Sequence, residues 1–214
     1  MSSWTTFRWH PVELFLVLVT GAGYVHVVRD GRLRRRALSG VAALLMVTAW
    51  PIGNLAASVS LSVATLQRLV VMLLVAPLLL TATPVSVLNR VTRPTAIDAL
   101  ARRLAHQCVA MLTVTIMGTA TLTPSLVDWG PPSAWVRLLR ELATLGAGLV
   151  LWLLALGVLP GTRLLSPTAR AGYLFASSIV VTSLSFVWIF ALHSLYPDLH
   201  HQRGLLHLSP LLDQ

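Results

Sequence analysis

Long apolar stretches alternate with short polar breaks along this chain, and every second break carries a cluster of arginines. Crossing the hydrocarbon of a bilayer takes about 20 mostly apolar residues, because each backbone N–H and C=O must find its partner inside its own helix. Six stretches answer to that requirement: 11–28, 37–53, 61–83, 105–124, 138–159 and 171–193. The second is the shortest. All six are apolar around most of the helical circumference rather than along one stripe, which argues against a water-soluble bundle. The expected fold is all-α, a polytopic helical membrane protein with six transmembrane helices and a single integral membrane domain spanning 1–214.

The breaks have characters of their own. The longest, 84–104, is expected to form an amphipathic helix along the membrane surface: from Thr95 to Leu104 the apolar residues recur at helical spacing, and Thr95 after Pro94 suits a helix start. The break at 127–135 holds the turn-rich run Asp128, Trp129, Gly130, Pro131 and Pro132. Trp129 and Trp135 there, with Trp4 and Trp9, fit an interfacial aromatic belt.

Charge then orients the helices. Hydrophobic residues make up 56% of the chain and charged residues 11%, and there is no lysine. Arg29, Arg32, Arg34, Arg35 and Arg36 follow the first stretch; Arg90, Arg93, Arg102 and Arg103 follow the third; Arg163 and Arg170 follow the fifth. Cytoplasmic loops retain positive charge, so these loops are assigned inside, with both termini and the tail 194–214 extracytoplasmic. A net charge of +9 partitioned by membrane side needs lipid as partner rather than nucleic acid, and no aromatic-basic interleaving points to the latter. Arg8 followed by an apolar run resembles a signal peptide, but the run lacks a small-residue cleavage site and ends in arginines, as a retained helix does. The single cysteine, Cys108, forms no internal disulfide and is expected to be a buried packing thiol.

Polar groups inside a membrane are costly, so they mark candidate sites. Arg68 stands about 10 Å into the third stretch at 1.5 Å per residue. Glu141 enters the fifth from the same side, and an intramembrane Arg68 to Glu141 pair is expected, with Gln67 and Arg140 beside it. A snorkelling Arg68 and an interfacial Glu141 is the other arrangement open. On the outer side His193, His200, His201 and His207 gather near the C-terminus, with His10 before the first stretch, and imidazole is a common copper or zinc ligand. Their spacing does not place two on one helix face. Met46, Met72, Met111 and Met117 lie on inferred helices, where methionine is ordinarily filler. The chain carries no Gly-rich phosphate loop, Cys-x-x-Cys, His-Glu-x-x-His or nucleophile elbow, and no enzyme activity is expected.

Punctuation along the helices adds a resemblance. Trp9-His10-Pro11, then Ala76-Pro77-Leu78-Leu79 and Thr83-Pro84, Gly148 with Trp152, Leu165-Ser166-Pro167, Arg170, Tyr173, Leu195-Tyr196-Pro197, Leu208-Ser209-Pro210 and Asp213-Gln214 follow one another in order. In this the chain resembles the CtaG family of cytochrome c oxidase assembly membrane proteins, over nearly its whole length. The resemblance implies a multi-pass protein of the bacterial plasma membrane. It also implies a non-catalytic accessory or assembly factor for a haem-copper cytochrome c oxidase, linked to copper supply, with a terminal oxidase or other membrane subunits as partners.

Departures limit what carries over. Family members usually have a His-Met-x-x-His run in the third helix, a His before the proline that closes the fourth and a Glu-His pair in the fifth. Here Ala64 and Arg68, or with a one-residue shift Val63 and Gln67, stand at the first of those positions, Leu122 at the second and Arg140-Glu141 at the third. Copper is therefore left open as a cofactor. The family also begins a seventh helix after Asp-Gln, so a truncated or reduced member is expected. A copper-binding or copper-transporting protein using the outer histidines, and a structural subunit of a larger membrane complex, are the alternatives.

Overall fold

In a computed structural model, residues 11–48, 61–122, 134–158 and 165–190 are described. All of their regular structure is helical: α1 (Pro11–Val27), α2 (Gly31–Thr48), α3 (Leu61–Val70), a π-helical turn (Val71–Val75), α4 (Ala76–Ala82), α5 (Val85–Val91), α6 (Thr95–Leu104), α7 (Gln107–Leu122), α8 (Ala134–Leu156) and α9 (Pro167–Ile189). The π turn joins α3 to α4 without interrupting the rod. α8 is the organising helix, packing against α7, the π turn, α4 and α9, with a smaller contact to α1, while α2 packs against α1 and α4.

The helix boundaries differ from the sequence expectation where local chemistry intervenes. α2 starts at Gly31, six residues earlier than expected, because Asp30 Oδ1 accepts the backbone N–H of Arg32 at 2.8 Å and of Leu33 at 3.2 Å. That cap draws the arginines of the first break into helical turns. The same two bonds, reinforced by the Arg32 charge, hold the Asp30 carboxyl below its ordinary range. The stretch 84–104 forms two short helices rather than one, since Pro94 drives the residue before it out of the helical region and ends α5 at Val91. α8 ends at Gly157, whose φ of 61° is the left-handed conformation a helix stop favours.

Two helices, Val63–Ala82 and Leu138–Leu156, are long and apolar enough to cross a bilayer, and α6 with α7 pass together but are bent by 93°. Six crossings go beyond what the described helices establish by length and hydropathy. Their outward faces are nonetheless apolar: Phe15, Met46, Leu112, Ile116, Leu139 and Phe175 are each more than half exposed. Threonine hydroxyls turn back onto their own helix, as from Thr20 to Leu16 O, Thr81 to Pro77 O and Thr113 to Val109 O, which removes a polar group from an apolar surface. Cys108 is exposed rather than buried, on the first turn of α7, so it is not a packing thiol.

The interior is built from small and β-branched residues, as expected where helices must approach closely without a hydrophobic drive between them. One cluster joins Ala110, Val114, Val150, Leu151, Leu154, Ala155 and Tyr173, with Leu104, Leu165 and Met72 at its border. A second joins Val25, Val28, Ala37 and Ala82. Together they draw the starts of α2, α7 and α9 and the ends of α1, α4 and α8 to one end of the bundle. The closest approach to a neighbouring backbone is at Gly148, where an added Cβ would lie 2.9 Å from both Ala76 Cβ and Met72 Cα and 3.1 Å from Met72 O. Backbone cannot yield as a side-chain tip can. Gly148→Ala is therefore expected to lower stability by about 1–3 kcal/mol. Gly23, where an added Cβ meets nothing within 4 Å, is expected to tolerate the same change. Thermal unfolding of the two variants in detergent checks this, and equal melting temperatures would contradict the packing.

Candidate functional site

Two prolines seven residues apart define the most unusual backbone in the described structure. In a regular α-helix Met72 O would accept the N–H of Ala76. Here Ala76 N–H bonds Val71 O instead, and the next residue along is Pro77, which has no N–H. The Met72 carbonyl is thus left without a main-chain donor. Trp152 of α8 supplies one across the helix interface, its indole Nε1–H donating to Met72 O at 3.0 Å. Gly148, one turn earlier on the same face of α8, opens the space that lets the two backbones come close enough.

The same problem recurs at the other end of α4. Pro84 cannot donate to Leu80 O, which takes the N–H of Thr83 at 3.1 Å by a tightened turn. Leu79 O loses its donor in consequence. It accepts Tyr24 Oη–H of α1 at 2.7 Å and Thr83 Oγ1–H at 2.8 Å, and the two hydroxyls stand 3.0 Å apart. α4 is therefore a proline-bracketed segment held by a tryptophan from one neighbour and a tyrosine from another. A π turn of this kind is frequent at functional positions in helices.

A second polar group lies on the same helices. Gln67, Arg68, Arg140 and Glu141 are all half-buried. Glu141 stands seven residues before Gly148, on the same face of α8, and Arg68 stands four residues before Met72. A third group is a pair of hydroxyls in the main cluster: Tyr173 Oη and Ser177 Oγ, one turn apart on α9, are close enough to influence each other, yet neither forms a well-directed hydrogen bond among the described residues. Both residues are buried.

Of the sequence-derived candidates, His193, His200, His201 and His207 lie outside the described residues. Among the described residues no three His, Cys, Asp or Glu side chains gather as a metal centre would need. Where the family resemblance would place intramembrane histidines, the structure has the Ala64 methyl, the half-buried Arg68 guanidinium and the Arg140-Glu141 pair. A fixed positive charge opposes a cation, so these residues do not fit a copper site of that kind. Tyr24 had no signal of its own in the sequence. Trp152 and the prolines did, as punctuation, but a missing N–H says which carbonyl is orphaned and not which distant donor arrives.

A helical bundle with an apolar exterior, hidden hydroxyls and side-chain donors spent on interior carbonyls is a membrane protein. The chain belongs to the cytochrome c oxidase caa3 assembly factor family (Caa3_CtaG), whose model matches residues 19–214. No curated protein and no solved structure matches it.

Half-buried Tyr24 and buried Tyr173 provide a paired test. Tyr24→Phe removes a donor from a carbonyl that needs it and is expected to cost about 1 kcal/mol. Tyr173→Phe removes a hydroxyl with no well-directed hydrogen bond among the described residues and is expected to leave stability unchanged or raised. Thermal unfolding of both in one detergent reads the difference, and a larger loss at Tyr173 would contradict the assignment.

Proposed function

We propose that this protein is a non-catalytic, multi-pass assembly factor for a haem-copper cytochrome c oxidase in the bacterial plasma membrane. It comprises six crossings in one domain, the arginine-bearing loops inside and both termini outside. The observation that carries this is membership of the caa3 assembly factor family over residues 19–214. The apolar exteriors of α1, α2, α7, α8 and α9 support crossings beyond those fixed by length alone, since contiguous apolar surface of this extent is foreign to water-soluble proteins. The gathering of the arginine-rich breaks at one end of the bundle supports the orientation.

On this reading the protein works as a scaffold rather than as a carrier of copper on intramembrane histidines. Arg68 and Glu141, with Gln67 and Arg140 beside them, form a charge pair in the place where relatives hold histidines. Gly148 sets the register for it: α8 meets the π turn at Met72 and α4 at Ala76, so with the two helices running in the same direction Glu141 and Arg68 reach the same depth.

A strain lacking the gene is expected to lose the mature oxidase, read as the haem spectrum and oxidase activity of its membranes, while its other respiratory complexes remain. Wild-type protein restores both. Glu141→Ala is expected to lower the amount of protein in the membrane because it strands the arginine, and Glu141→Ala with Arg68→Leu is expected to recover it. A fully assembled oxidase in the deletion strain would overturn the function, and equal levels of the single and double variants would overturn the pair.

A further inference from the structure

The segment between α4 and α7 is the least covered part of the described structure: neither α5 nor α6 has a buried residue. Around α6, Ala96, Ile97, Leu100, Ala101 and Leu104 occupy one arc, while Thr95, Asp98, Arg102 and Arg103 occupy the opposite one. Ile97 is 42% and Leu100 56% exposed, and Val85 and Val91 of α5 expose comparable apolar surface. Leu104, at the end of the arc, borders the main cluster, but Ala96, Ile97 and Leu100 are exposed, and the apolar surface they present has its partner elsewhere.

Geometry and charge identify that partner. The 93° bend between α6 and α7 lays α6 across the direction of a crossing helix, which is the plane of a membrane surface. Asp98 pairs with Arg102 one turn along, satisfying the only acid of the segment and one of its four arginines. Arg90, Arg93 and Arg103 are exposed, and none has a carboxylate as its neighbour in the chain. The arginine-rich start of α2 lies nearby, since Val28 and Ala37 pack on Ala82 at the end of α4. We infer that α5 and α6 form a lipid-binding elbow: the apolar arc of α6 enters the membrane interface, and Arg90, Arg93 and Arg103 bind the headgroups of anionic phospholipid. The combination of exposed apolar residues, in-plane axis and surplus positive charge suits an anionic bilayer surface better than a protein groove, which would need matching carboxylates. The inference rests on the protein being embedded in a membrane and not on which complex it serves.

The test uses the full chain in lipid nanodiscs with a polarity-sensitive fluorophore at Ala96→Cys in a Cys108→Ser background. Discs of phosphatidylcholine alone are compared with discs of phosphatidylcholine and phosphatidylglycerol in equal parts, with neutral acrylamide as the aqueous quencher. The expected result is a blue shift and reduced quenching in the anionic discs, a difference that salt abolishes. Replacing Arg90, Arg93 and Arg103 by Gln is expected to remove the lipid dependence, each arginine contributing a factor of about five in attraction to an anionic surface. Inorganic phosphate added to neutral discs is expected to change nothing. Circular dichroism of each variant in the same discs establishes that it is folded, and the salt response of the arginine-containing protein does not depend on any of those variants. Equal quenching in both discs, or a probe that is shielded only when an oxidase subunit is added, would overturn the inference.

Discussion

Every peptide carbonyl in a lipid-embedded helix needs a donor, and a proline removes one. That constraint shapes the centre of this protein. Pro77 and Pro84 each withhold an N–H from the chain before them, and the backbone responds with a widened turn before α4 and a tightened one after it. The carbonyls of Met72 and Leu79 are left over. Because water is absent from the hydrocarbon, leaving either unsatisfied costs more than in a soluble protein, and the indole of Trp152 and the phenol of Tyr24 are recruited from neighbouring helices. Two local defects thereby become two tertiary fastenings. The closeness at Gly148 follows from the first of them, since only a residue without Cβ lets the backbone of α8 approach Met72 that nearly.

The helical, largely apolar character of the described segments was legible in the sequence because periodicity needs no knowledge of partners, although by length and hydropathy two of them, or three with the bent pair, suffice for a crossing. A helix at Thr95–Leu104 with its apolar residues on one arc was legible for the same reason, although Pro94 separates it from α5. Events at a distance were not legible. Nothing in the residues around Tyr24 says that its hydroxyl meets a carbonyl 55 positions away. The start of α2 was missed because arginines at a membrane edge read as loop, whereas one aspartate cap makes them helical. The exposure of Cys108 is not legible either: a thiol in an apolar helix reads as core, although at a membrane face the outward position is equally apolar.

The half-buried Gln67, Arg68, Arg140 and Glu141 stand on the two helices that the Trp152 bond joins, so whatever contact they make is set in register by that bond. A scaffold needs this kind of order more than it needs a reactive group. The proposed assembly role asks the chain to present fixed surfaces to other membrane subunits, and the described structure spends its scarce interior donors on fixing helices. On the inferred reading, the arginine-bearing elbow of α5 and α6 would anchor the bundle at the membrane surface.

The most direct measurement of this account is the energetic coupling between Pro77 and Trp152 in a double-mutant cycle of Trp152→Phe and Pro77→Ala, followed by reversible unfolding in detergent. With Pro77 present, losing the indole N–H strands Met72 O, whereas Pro77→Ala restores a backbone donor that can serve it. Trp152→Phe is accordingly expected to cost about 1 kcal/mol more in the native chain than in the Pro77→Ala background. An identical cost in both backgrounds would mean that the carbonyl is not orphaned by the proline, and the fastening of α4 would need another explanation.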